Sequence, residues 1–271
     1  MAKTACPRAI FVRHGQTEWS KSGQFTSITD LPLTDFGVTQ MQQTGELLFQ
    51  NGWLKSENVK YIFTSPRLRA RQTVELILKT LTEEQRSKIR IVVDNDIREW
   101  EYGDYEGKLT KEIKQMRKEQ GLNSDDWEIW RDGCGEANGE TSKQVGLRLS
   151  RFIARVQNIH RKALEADEPC DVLVFAHGHT LRYFASLWFY ANIPCEPVTE
   201  DLPKYVKSYE DDSVEVVEIE KYKYLNSNPN FLLDAGGVGV LSYSHHCIDE
   251  PALALSGVFA IPPEEESEHG K

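Results

Sequence analysis

The sequence predicts an α/β fold of three layers, α/β/α, around a mostly parallel central sheet. Two observations carry that expectation. Short β-rich runs alternate with helical patterns along most of the 271 residues, and such alternation favours parallel strands joined by helices on both faces. The runs themselves, Ala9 to Val12, Tyr61 to Thr64, Ile89 to Asp94 and Asp171 to Ala176, are mostly apolar, as strands covered on both faces require.

The elements follow in order. Residues 33–52 read as a helix with Thr34 as its N-cap and Gly52 near its end. Residues 67–81 form a second helix, with Ala70, Val74, Ile77, Leu78 and Leu81 on one face. Residues 140–164 form a longer one, with Val145, Leu149, Phe152, Val156, Ile159 and Ala163 at three- and four-residue intervals. A fourth helix, residues 179–191, follows the last of these strands directly. The section from Cys195 onward differs. Residues 213–220 alternate like a solvated or edge strand, residues 234–246 are a glycine-rich loop entering another short strand, and the end is acidic. One domain over 1–271 is expected, with 195–261 an extension packing on it and 262–271 a mobile tail.

Composition narrows the function. The net charge of −10 argues against a non-specific nucleic-acid binder, which needs a basic face, but a local arginine cluster can still attract a small anion. Five cysteines without a C-x-x-C pair suit free thiols in a reducing compartment. The start, MAKTACPR, has no apolar signal core and no run reaches membrane-spanning length. A cytoplasmic protein is expected, with nuclear access and a homodimer left open, and with neither nucleic acid nor membrane as partner.

Chemistry concentrates at strand ends. The first strand empties into Arg13, His14 and Gly15, and the fourth into His177, Gly178 and His179. The second leads through Ser65 to Arg67, Arg69 and Arg71, and the third to Glu99. In an open sheet, ligands bind at the carboxyl ends of the strands. Two imidazoles, several guanidinium groups and a carboxyl at one mouth suit phosphoryl transfer, with imidazole as nucleophile. Taken singly, each has a plainer reading: the arginines as a solvated helix face, Glu99 as one of several solvated carboxylates.

Their joint order is more specific. Arg13-His14-Gly15-Gln16-Thr17-Glu18-Trp19, Leu31-Pro32-Leu33-Thr34, Ser65-Pro66 with Arg69-Ala70 and Gln72-Thr73, Glu99 with Gly103 and Glu106-Gly107, and His177-Gly178 resemble the motifs of the histidine phosphatase superfamily, in the same order. The stretches VRHGQTEWSKSGQ, TSPRLRARQT, REWEYGDYEG and FAHGHTLRYF resemble its fungal sugar-bisphosphatase members most. The resemblance implies a phosphoglycerate mutase-like fold and a metal-independent phosphatase without a cofactor. Its substrate would be a small phosphorylated sugar, sedoheptulose 1,7-bisphosphate before fructose 1,6-bisphosphate. It also implies roles: His14 as the nucleophile, Arg13, Arg69 and His177 around the phosphoryl group, and Glu99 as proton donor. Ser20 stands where the wider family has asparagine, and Ser27 where glycine is common.

For the rest of the substrate the candidates are Gln24, Thr26, Ser65, Tyr102, Gly178 and Arg182. Arg182 is placed to clamp a second phosphate or to be a surface cation. His245 is expected as a polar lid on the resemblance. With His246, Cys247 and Asp249 it lacks the spacing of a structural zinc site. Gly236, Gly237 and Gly239 read as turn glycines, since they lack a dinucleotide fingerprint. A phosphoglycerate mutase and a phospho-ligand-binding pseudo-enzyme remain as rivals, separable by release of free phosphate.

Overall fold

The computed structural model describes residues 6–189 and 231–254. Strand β1 (Arg8–Arg13), β2 (Val59–Thr64), β3 (Arg90–Val93) and β4 (Asp171–Ala176) form the parallel part of one sheet. Two later strands, β5 (Val238–Tyr243) and β6 (Pro251–Leu253), extend it antiparallel, giving the order β3-β2-β4-β1-β5-β6. The sheet is therefore mixed, with β1 inside it and paired on both edges. The expected edge strand at 213–220 and the acidic tail lie outside the described residues.

Helices occupy both faces. Side chains alternate along β1, so Ala9 and Phe11 enter one apolar cluster and Ile10 and Val12 the other. The first cluster is roofed by α7 (Ser142–Ala166) and α8 (Gly178–Trp188). The second is closed by α3 (Leu68–Leu78), whose Val74, Ile77 and Leu78 are buried as their spacing predicts. Helix α7 starts where Thr141 and Gln144 cap each other's backbone N–H groups. Helix α2 (Asp35–Gly45) is capped by Thr34 as expected, but its continuation over 46–50 is a π-helical turn.

Two glycines show why the sheet closes as it does. Gly236 has φ 76° and its N–H donates to the His14 carbonyl at 2.9 Å, a left-handed turn. Gly239 is not a turn residue, contrary to the sequence reading: it lies within β5 opposite Phe11, and any side chain there would overlap the Phe11 ring. Among the described residues no helix is long and apolar enough to cross a membrane.

Candidate active site

The carboxyl ends of β1, β4 and β2 are adjacent because Arg13 pairs with Ala176 and Thr64 with Phe175. This register sets His14, His177 and Ser65 one residue beyond their strands on the same edge. Above them opens a cavity of about 230 Å³.

His14 is 4% exposed, and its Nδ1 lies 2.8 Å from the Gly15 carbonyl. A carbonyl only accepts, so Nδ1 carries the proton and Nε2 keeps its lone pair. Burial, then the charges of Arg69 and Arg13, hold its pKa well below 6.5. The ring is neutral at pH 7. Gly15 leaves no room for a side chain, since a Cβ there would come within 2.7 Å of Met41 and 2.9 Å of the Gly37 carbonyl.

Arg13 lies along the cavity wall, with Nη1 donating to the Leu233 carbonyl at 2.6 Å. Its Nε is buried, with no hydrogen-bond partner among the described residues. A desolvated guanidinium at a cavity wall attracts an anion strongly. Gly178 permits this placement: a Cβ there would press within 3.2 Å of the Arg13 Cζ.

Arg69 is fully buried at the start of α3. Nη1 donates to Thr29 O at 3.0 Å, and Nη2 to Thr26 O at 3.0 Å and Ser27 O at 3.1 Å. Nε donates to His177 Nδ1 at 3.2 Å. His177 must therefore hold its own proton on Nε2, 2.7 Å from Ser65 Oγ. Burial, then Arg69, depresses the His177 pKa well below 6.5. The two histidine rings stand 5.2 Å apart. The loop that receives Arg69 is fixed in turn by Glu106, whose carboxylate accepts from Ser27 N at 2.9 Å and Thr29 N at 3.0 Å.

Glu99 is 4% exposed and joins the third strand region to α8. Its Oε1 accepts from Trp100 N and Thr180 N, and its Oε2 from His179 N at 3.2 Å. A carboxylate at a helix N-terminus meets unsatisfied N–H groups and the positive end of the helix dipole. Oε2, with one donor, has an acceptor position left for the cavity that Glu99 lines.

The remaining sequence candidates divide. Ser20, Gln24, Thr26, Tyr102, Gly178 and Arg182 line the cavity. Ser20 also caps α1 (Glu18–Ser22) with Thr17. Gln24 Nε2 donates to Gly107 O at 2.8 Å, and the Thr26 hydroxyl to Gln24 O at 3.1 Å. The Arg182 guanidinium sits 4.8 Å from the Trp130 ring centre, a cation–π contact. Ser65, Arg69 and His177 lie buried behind the wall and act through one another.

His245 does not lie over the cavity of its own chain, contrary to the expected lid. Strand β5 runs opposite to β1, with Val238 beside Val12 at the mouth and Leu241 beside Ala9. His245 therefore emerges at the far end of the sheet, where its side chain is 84% exposed and its Nδ1 lies 2.6 Å from Glu250. Conversely, His179, Phe25, Leu233 and Asp234 line the cavity without having been singled out for it. The HGH triplet held the signal for His179, one residue past an assigned glycine. Leu233 and Asp234 come from a turn whose sequence shows only its glycines.

The family model for the histidine phosphatase superfamily (branch 1) matches residues 9–197. The chain is 62% identical over 268 residues to the sedoheptulose 1,7-bisphosphatase of Saccharomyces cerevisiae, covering 97% of both. It is 34% identical over 181 residues to an acid phosphatase of Mycobacterium tuberculosis, covering 67% of this chain and 75% of that one. A solved structure of an open-reading-frame product from the same bacterium superposes with a TM-score of 0.60 at 27% identity, over 93% of this chain and 97% of that one. With a neutral, tautomer-locked imidazole at the end of its first strand and a guanidinium at its side, the chain belongs to the histidine phosphatase superfamily.

Proposed function

We propose that this chain hydrolyses a sugar bisphosphate, sedoheptulose 1,7-bisphosphate before fructose 1,6-bisphosphate, releasing inorganic phosphate and the sugar monophosphate. The observation that carries the chemistry is the His14 tautomer, with Nδ1–H held by Gly15 O. The substrate class rests on the 62% identity to the yeast enzyme over 97% of each chain.

His14 Nε2 attacks phosphorus, and the bond from phosphorus to the sugar oxygen breaks. That oxygen takes a proton from the Glu99 carboxyl. Glu99, now a carboxylate, takes a proton from water as the water oxygen attacks phosphorus. The nitrogen–phosphorus bond breaks, phosphate leaves, and His14 returns to its starting tautomer. Arg13, which lines the cavity, sets its guanidinium charge beside the equatorial oxygens, which gain charge as the bonds change. Arg69 adds its charge from behind while holding His177. The guanidinium groups supply positive charge that a metal ion supplies in other phosphoryl-transfer sites. Arg182, across the cavity, is the donor for the second phosphate. A reducing, cytoplasmic setting fits the cysteines free among the described residues, Cys6, Cys134, Cys170 and Cys247.

The test is free phosphate released from a panel of sugar mono- and bisphosphates. We expect sedoheptulose 1,7-bisphosphate to lead the panel and His14→Ala to abolish release. Retained turnover in that variant would remove the covalent mechanism, and phosphoglycerate interconversion without free phosphate would make the chain a mutase.

A further inference from the structure

His179 has no role in the chemistry above, yet it occupies the cavity beside the proton donor. Its backbone N–H holds Glu99 Oε2 at 3.2 Å. Its imidazole therefore belongs to the leaving-group side of the site. The ring is framed by Phe25 at 5.2 Å and Trp130 at 5.1 Å between centres. Its Nδ1 lies 2.6 Å from the Tyr102 hydroxyl.

The direction of that hydrogen bond follows from its surroundings. Tyr102 is 2% exposed, and its hydroxyl has no other hydrogen-bond partner among the described residues. Burial, then Glu99, pushes its pKa well above 10, so it stays protonated. In the arrangement proposed below the hydroxyl donates to Nδ1, its nearest acceptor, which leaves the imidazole proton on Nε2. Burial brings the His179 pKa down to about 4, so the ring is neutral. Among the described residues Nε2 has no hydrogen-bond partner, and His179 lines the cavity.

We propose that His179 is a specificity-determining residue whose Nε2–H donates to a sugar hydroxyl or carbonyl oxygen close to the ester being cleaved, with Tyr102 as the positioning residue that fixes its tautomer. The acceptor is a neutral oxygen, not a phosphate. Both guanidinium groups in the cavity, on Arg13 and Arg182, compete better for an anion than an uncharged N–H does. The flanking aromatic faces suit the C–H surface of a sugar. A site with a built donor discriminates strongly against ligands that leave it unpaired. The proposal rests on the sugar-bisphosphate reading and refines it.

The test compares kcat/KM on sedoheptulose 1,7-bisphosphate with kcat/KM on p-nitrophenyl phosphate, which has no sugar oxygens. His179→Ala should lose about 10- to 100-fold more on the sugar than on the aryl ester. His179→Gln, whose amide N–H reaches a similar point, should recover most of that gap. Tyr102→Phe should open a smaller gap and, by ¹⁵N NMR of the histidine side chain, convert a single Nε2–H tautomer into a mixture. Equal losses on both substrates in His179→Ala overturn the proposal, as does a glutamine variant no better than alanine. Should alanine fail to fold, Tyr102→Phe decides: an unchanged tautomer and an unchanged substrate ratio overturn it alone. A wild-type protein that cleaves the aryl ester but no sugar bisphosphate overturns the functional reading itself.

Discussion

At the scale of single residues, the site separates two tasks that the sequence presents as one motif. Arg13 and His14 are neighbours, but the strand sends their side chains to different duties. Arg13 ties its guanidinium to Leu233 O at the cavity wall, while His14 spends one nitrogen on Gly15 and keeps the other free. Glu99 is held by three backbone N–H groups, so its position hardly depends on neighbouring side chains. If it protonates the departing oxygen, its value must depend on how basic that oxygen is. Glu99→Gln should lower kcat/KM, which reports the step that expels the leaving group, by about 100-fold or more on a sugar phosphate, and much less on p-nitrophenyl phosphate, whose leaving group needs no proton. A plot of kcat/KM against leaving-group pKa, steeper in the variant than in the wild type, is the measurement. Parallel slopes would assign the proton elsewhere.

At the scale of elements, the packing of β5 against β1 is tight at one point. Gly239 faces the Phe11 ring, and a methyl group there has nowhere to go. Gly239→Ala should cost about 1–3 kcal/mol by overpacking, read as a fall in the urea midpoint, and Phe11→Leu in the same chain should restore part of it. The parallel strands and their helices were legible because burial on both faces leaves an unbroken apolar run, and a helix leaves a period. Strand direction has no such signature. Residues 234–246 read as a glycine-rich loop entering a short strand, but nothing in VGVLSY states that the strand begins before Gly239 or runs against β1, and that reversal is what carries His245 away from the mouth. His14, Arg13, Glu99 and Gly178 were legible because their spacing follows the strand ends. The buried relay from Glu106 through the 26–29 loop to Arg69 was not, since it depends on backbone carbonyls that any sequence possesses.

At the scale of the whole molecule, stability should depend on acid through its buried histidines. His160 is fully buried between Tyr243 and Trp188, and burial takes its pKa from 6.5 to about 3. The unfolded chain binds this proton near pH 6.5 and the folded chain does not, so the stabilisation is complete above pH 6.5. It is lost progressively as pH falls toward 3. From this residue alone the loss between pH 7 and pH 5 is about 2 kcal/mol. Denaturant midpoints measured across that range should fall in the wild type and fall less in His160→Gln. An identical slope in both would show that His160 is protonated within the fold.

The strand order also sets a timetable. Phe11 lies on the first strand of the chain, but its partners are Val174 on one side and Gly239 on the other. At roughly 5–20 residues per second of synthesis, strand β1 waits on the order of 10 to 45 s for its last neighbour to be made. Until then one edge of β1 is bare, and Arg13 lacks the carbonyl of Leu233 that holds it. The nascent protein thus carries His14 long before it can finish the pocket around it, which waits until residues 233–243 have been made.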